Sequence, residues 1–314
     1  MKTLVNQDAT VLRKRSVWSR MASQWQLYIL LIPAFTFLMI FSYGPMYGIV
    51  LAFKDFIPTK GILGSPWVGF DHFIRFFTLP SCKDLIINTI SISILSTLLT
   101  FPIPIAFALL LHQVDTLWYK KIVQNFTYLP HMLSLVIIIN IAQVFCSPTS
   151  GVFNLIRGMF GLSPINFFAE EKYVFWIYWL TGIWQNMGYS AVLYISALSG
   201  IDMEQLEAAK IDGANRFRLI WNIELPAIAE TVIIMLIMSF GRMFAVGVDK
   251  MLLIQNSANL GSSEVISTYI YKVGLVDGQF GFSTAVNIFN TLVNVACVLI
   301  VNFIAGKVSD TQLF

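Results

Sequence analysis

The sequence predicts an all-α integral membrane protein with six transmembrane helices. Three observations carry that expectation. Of the 314 residues, 57% are hydrophobic and only 12% charged, with a mean hydropathy of +0.73, whereas soluble domains carry about 25% charged residues. Six apolar runs lie near 27–52, 85–111, 122–145, 173–199, 228–251 and 282–305. Each is long enough to cross a hydrocarbon core of about 30 Å, which takes roughly 20 helical residues. One long polar interval, 200–226, separates the fourth run from the fifth.

The chain begins with a polar, basic arm at 1–26 that carries Lys2, Arg13, Lys14, Arg15 and Arg20. A signal peptide would pair a short apolar run with a small-residue cleavage site. The run after this arm is longer than that, so the arm reads as retained and cytoplasmic. Residues 27–305 form a single bundle, and 306–314 a short tail. Pro33 and Pro45 in the first run, and Pro102 and Pro104 in the second, predict kinks. An even number of spans puts both termini on one side. With that side taken as the cytoplasm, inner segments hold 11 Lys and Arg and outer loops seven, a modest bias in the direction of the positive-inside rule. The interval 200–226 then lies in the cytoplasm.

That interval reads as two helices and a turn. Asp202 suits an N-cap, with Gln205 three residues on in a capping-box-like pair. Leu206, Ala208 and Ala209 give the first helix a flat face of small residues, and Gly213 suits the left-handed residue that ends a helix. Phe217, Ile220 and Trp221 then share one face of a second helix, opposite Arg216 and Arg218. Pro226 fits the first turn of the next membrane helix.

Polar residues inside the apolar runs are the candidates for a transport path. Asn287, Asn290 and Asn294 follow i, i+3, i+7 down the sixth run. Gln185, Asn186 and Tyr189, beside Trp184, mark the fourth. Amide groups and aromatic faces suit sugars, and interhelical hydrogen bonding is the competing role. Arg242 in the fifth run is costly at a helix centre, by at least about 2.5–3.5 kcal/mol on insertion scales, and so needs a wet cavity or a carboxylate. Asp249, seven residues on, shares its face if the helix continues; if the helix ends near Val246, Asp249 and Lys250 lie in an outer vestibule.

Several chemistries are excluded. No G-x-x-x-x-G-K-S/T nucleotide loop is present, so any ATPase is another polypeptide. His72, His112 and His131 lie far apart, without metal-ligand spacing. Three cysteines make no disulfide scaffold; Cys82 and Cys146 fall at predicted outer helix ends, where either a bridge or two free thiols fits. A net charge of +3 gives no reason to invoke nucleic acid. A secondary transporter would need an internal repeat and an ion site, and neither is visible.

Glu207-Ala208-Ala209, Asp212-Gly213-Ala214, Ile223 and Leu225-Pro226 resemble the "EAA" loop of the permease subunits of binding-protein-dependent ABC importers. Phe41-Ser-Tyr-Gly-Pro-Met-Tyr-Gly48, Ala52-Phe-Lys-Asp-Phe56, Ser65-Pro-Trp-Val-Gly69 and Glu264-Val-Ile-Ser-Thr-Tyr-Ile-Tyr-Lys272 resemble the branch that handles complex oligosaccharides. The resemblance covers nearly the whole chain from about Trp25. One departure is Glu230, where that family often has a second proline.

The resemblance implies a maltose-permease-like type I ABC importer permease fold with a cytoplasmic EAA coupling hairpin. It implies a non-catalytic subunit of a bacterial cell membrane that binds no cofactor of its own, with ATP and Mg held by two partner ATPase subunits. Further implied partners are a second six-helix permease, usually a different chain, and an extracytoplasmic solute-binding protein that delivers a sugar, by this branch an oligosaccharide. Glu207, Ala208, Ala209, Asp212, Gly213, Phe217, Ile223, Leu225 and Pro226 would then meet the ATPase.

Overall fold

The computed structural model describes residues 24–241 and 246–308. Arg242, nearly all of the basic arm and the last six residues lie outside the described residues. The described chain is helical throughout; its only strand-like pairing is an isolated bridge between Lys54 and Trp67.

The chain divides into residues 1–50 and 51–314. In the first unit, α1 (Trp25–Leu38) passes through Pro33. It then widens into a π turn at Met39–Tyr43, directly ahead of Pro45. Proline lacks an N–H and its ring crowds the carbonyl four residues back, which explains the widening. No residue of α1 is buried. With the turns that follow, to Phe53, it is long and apolar enough to cross a membrane.

In the second unit, α2 (Asp71–Thr78) is amphipathic and buries Phe76. α3 (Cys82–Thr100) runs through Phe101 into α4 (Pro102–His112), because Phe101 keeps helical dihedrals and Pro102 sits in a first turn. Together they make one 31-residue span. α5 (Leu117–Tyr128) and α6 (Leu135–Phe145) meet at 102°. Pro130 cannot donate, and Ser134 caps a new helix by accepting from the Ile137 N–H, so the third apolar run folds as two pieces.

α7 (Val152–Met159) is a short amphipathic helix, followed by α8 (Glu171–Leu198), the 28-residue core helix. α9 (Met203–Ile211) and α10 (Arg216–Leu219) form the polar interval. α11 (Ala229–Gly241) leaves it at 66°. Further along the chain lie α12 (Val248–Ile254), α13 (Leu260–Ser263), α14 (Ile266–Tyr271) and α15 (Phe280–Val308).

Three apolar clusters hold this unit together. Ile92 and Ile139 pack with Val174, Ile177, Met251 and Ile254. Phe76 and Leu85 pack with Ile266, Phe282 and Val286. Ile105 and Ala108 pack with Ala191, Tyr194, Leu198 and Ile228. α8 supplies residues to the first and the third, so it is the helix that joins them. Cys82, Cys146 and Cys297 are free thiols.

The apolar runs and the helices correspond imperfectly. Three described helices are long and apolar enough to cross a membrane, or five if each bent pair is one span. α8 has the length, but its tryptophans, tyrosines, Gln185 and Asn186 keep it less apolar than those. The fifth run is not one helix: residues 246 and 247 are non-helical and α12 starts afresh at Val248. Asp249 therefore sits exposed in the first turn of a separate short helix rather than one helical face below residue 242.

Candidate functional site

The polar interval folds into a hairpin built from local signals. Asp202 accepts from the Glu204 N–H at 3.0 Å and starts α9; Gln205 takes no part in a reciprocal capping box. At its end the Ala214 N–H reaches the Ala209 carbonyl at 2.9 Å and the Gly213 N–H the Lys210 carbonyl at 3.1 Å. With Gly213 at φ +80°, this is a Schellman stop, which a residue with a Cβ enters only under strain. Asn215 then caps α10 by accepting from the Arg218 N–H at 2.9 Å.

Two leucines pin this hairpin, Leu206 and Leu219, both buried. The outward side carries Glu207, Ala208, Asp212, Gly213 and Pro226, all exposed, with Ala209, Ile223 and Leu225 half-buried. Three large apolar side chains stand out from it: Ile211 is 86% exposed, Phe217 74% and Trp221 65%. Contiguous exposed apolar groups rimmed by charge mark a surface that docks.

The second set of candidates lies along α8. Tyr178, Gly182, Gln185, Asn186 and Tyr189 follow one another at helical spacing down one side. At the break between α5 and α6, His131 comes to them: its ring stacks on Tyr189 with centroids 4.0 Å apart, and its Nδ1 lies 3.1 Å from Asn186 Oδ1. Gln185 donates to the Leu133 carbonyl at 3.3 Å and Asn186 to the Gly182 carbonyl at 3.0 Å. Gly188 keeps the frame tight, because a Cβ there would collide with the main chain of Thr127 and Tyr128.

One turn up, Lys250 of α12 lies over the Tyr178 ring, 4.5 Å from its centroid, and its Nζ donates to the Tyr178 carbonyl at 2.6 Å. Lys250 is buried, and among the described residues its ammonium makes no ion pair. The sequence points to Gln185, Asn186 and Tyr189, and places Lys250 in an outer vestibule if the fifth helix ends near Val246, but gives His131 no role beyond its lack of metal-ligand spacing and does not single out Tyr178. The signal available was Leu129-Pro130-His131, a proline break that turns a histidine out of an apolar run.

The asparagines of α15 do not share one environment. Asn287 is exposed, Asn294 half-buried, and Asn290 buried with no hydrogen-bond partner on its Oδ1. Asn294 donates to the Asn290 carbonyl at 3.1 Å.

Membrane-length helices, a polar and aromatic stripe along the central one, and a hairpin with exposed apolar side chains fit a membrane-embedded transport component. The chain belongs to the family described as binding-protein-dependent transport system inner membrane component, whose profile matches residues 93–310. It is 37% identical over 310 residues to the polygalacturonan/rhamnogalacturonan transport system permease protein YteP of Bacillus subtilis, an alignment covering 98% of this chain and 97% of that one. It is 23% identical to the arabinooligosaccharides transport system permease protein AraP of the same organism, across 88% of this chain and 85% of that one. A chain in the crystal structure of a bacterial alginate ABC transporter, in complex with alginate pentasaccharide-bound periplasmic protein, superposes with a TM-score of 0.87 at 34% identity. That match covers 95% of this chain and 99% of the other.

Proposed function

We propose that this chain is one of two six-helix permeases in an ATP-driven importer that carries an oligosaccharide into a bacterial cell. The six spans of this reading are α1, α3 with α4, the bent pair α5 and α6, α8, α11 and α15, with both termini in the cytoplasm. An extracytoplasmic solute-binding protein delivers the sugar. Two separate ATPase subunits hold ATP and Mg and act through the hairpin. This chain binds no cofactor and catalyses nothing itself. Its partner permease is a different chain, forming a heterodimer, and no nucleic acid is involved.

The hairpin carries the reading. It is rigidly terminated at both caps, pinned by Leu206 and Leu219, and presents Glu207, Phe217 and Trp221 with nothing on them. The stripe of α8, the asparagines of α15, Arg242 and Asp249 are the candidate substrate path. Relatives named for polygalacturonan and alginate favour fragments of an acidic polysaccharide as cargo, and Lys250 beside the α8 stripe is a cation suited to a uronate.

Retention of an ATPase by the solubilised protein tests this. Wild type should hold an ATPase; Glu207→Lys reverses the exposed charge, and Gly213→Pro removes the donor to Lys210 and forbids φ +80°. Both should lose it while the bundle stays folded. Equal retention by wild type and variants would sink the hairpin's role.

A further inference from the structure

The hairpin joins the bundle through α8 at one end, through α11 at the other, and through the packing of Ile220 and Leu225 on the cluster that contains Ile105 and Ala108 of α4, and its link to α11 is jointed. Leu225–Ala227 is a single helical turn containing Pro226, and Ile228 closes it at φ −98°, ψ 5°. α11 leaves beyond it at 66°. A bend of that size beside a proline transmits a push poorly along the helix axis.

A further connection is made by Glu224, at the end of the π turn Ile220–Glu224. Its side chain is 1% exposed and reaches the C-terminal end of α4, the inner half of the second span. His112 Nδ1 lies 2.6 Å from Glu224 Oε1, and Gln113 Nε2 donates to the same oxygen at 2.7 Å. Glu224 Oε2 is buried with no partner among the described residues.

This is an expensive arrangement. A carboxylate beside a helix C-terminus faces the negative end of the dipole, and a buried carboxylate oxygen without a donor costs its desolvation. An apolar side chain at 224 would satisfy packing at no such cost. What the carboxylate adds to the apolar packing of Ile220 and Leu225 is direction: hydrogen bonds to His112, the last residue of α4, and to Gln113, its C-cap, fix the hairpin to the end of that helix.

We propose that Glu224, His112 and Gln113 are positioning residues for energy coupling, the joint through which displacement of the hairpin moves α4. This rests on the hairpin being the ATPase dock. When the hairpin is pushed, α4 follows through these two hydrogen bonds, while the Pro226 bend absorbs the motion toward α11.

The test uses the assembled complex, with MgATP and vanadate as the probe that traps its ATPases. An environment-sensitive fluorophore is placed on α4 at Leu110→Cys, an exposed position, after replacement of the three native cysteines. In otherwise wild-type protein, trapping should shift the emission. Glu224→Gln and His112→Ala should keep the bound ATPase and its hydrolysis yet lose most of the shift, about tenfold in the equilibrium it reports, the scale of one charge-assisted hydrogen bond.

His112→Gln, which restores an N–H donor, should recover part of the shift. Gln113→Ala, at a half-buried position with little risk to folding, should lose an intermediate amount. A full shift in Glu224→Gln or His112→Ala would overturn the joint, as would a shift that falls only in proportion to the ATPase retained. An ATPase missing from the wild-type complex would instead overturn the docking role of the hairpin, and the joint with it.

Discussion

Gly188 shows how much one hydrogen atom decides. α5 and α8 approach main chain to main chain there, against the carbonyl of Thr127 and the N–H of Tyr128. Backbone cannot move aside as a side chain can. Gly188→Ala should therefore lower the melting temperature of the solubilised protein, because overpacking costs about 1–3 kcal/mol against a helix-propensity gain of up to about 1 kcal/mol. Gly158→Ala in α7, where a Cβ meets open space, should leave it unchanged or raise it. Thermal melts of the two variants side by side check this. At this scale the sequence was informative about identity and poor about neighbours. Gln185 and Asn186 stand out because amides are rare in apolar runs. Asn186 meets His131, 55 residues away, and Gln185 the carbonyl of Leu133, and only the fold brings these groups together. Nothing in the sequence singles out Glu224, and its burial depends on where α4 ends.

Among elements, the hairpin was the most legible because its signals are local. Gly213, Asp202 and Asn215 act within five residues of themselves, so the turn can be read without knowing the fold. α9 and α10 span only nine and four residues, and helices that short are marginal without their caps. Asn215→Ala should cost about 1 kcal/mol of local helix stability. It should speed tryptic cutting at the exposed Arg216 and Arg218 several-fold, while the apolar bundle stays intact. Time-resolved proteolysis of folded protein reads this directly, and unchanged cutting would show that packing through Leu219 alone holds α10. The breaks in the third and fifth apolar runs were less legible. Hydropathy is blind to direction, so 122–145 reads as one span although Pro130 and Ser134 turn the chain by 102° inside it.

At the scale of the molecule, the distribution of Lys and Arg sets the expected orientation, and a topology experiment can check it. Single cysteines at residues 60 and 163 should react with an impermeant thiol reagent from outside intact cells, and one at residue 212 only after permeabilisation. Labelling of residue 212 from outside would invert the topology and remove the hairpin from any cytoplasmic motor. The membrane-protein class was visible in composition because a bilayer demands about 20 apolar residues per crossing; the number of spans was less so, since three described helices are long and apolar enough to cross, or five if each bent pair is one span. The branch of relatives was visible only in motifs.

The hairpin is held by side chains that point inward, Leu206 and Leu219, and addressed by others that point outward, Glu207, Phe217 and Trp221. None of these five contributes to the stripe of α8. On the proposed function, the molecule is thus divided into two independently editable alphabets, one spelling which engine it accepts and the other what freight it carries. A descendant that changed freight by altering positions 131, 185, 186 and 189 would keep its engine. A single engine could therefore be pooled among many such chains in one cell, each differing only in the letters along α8.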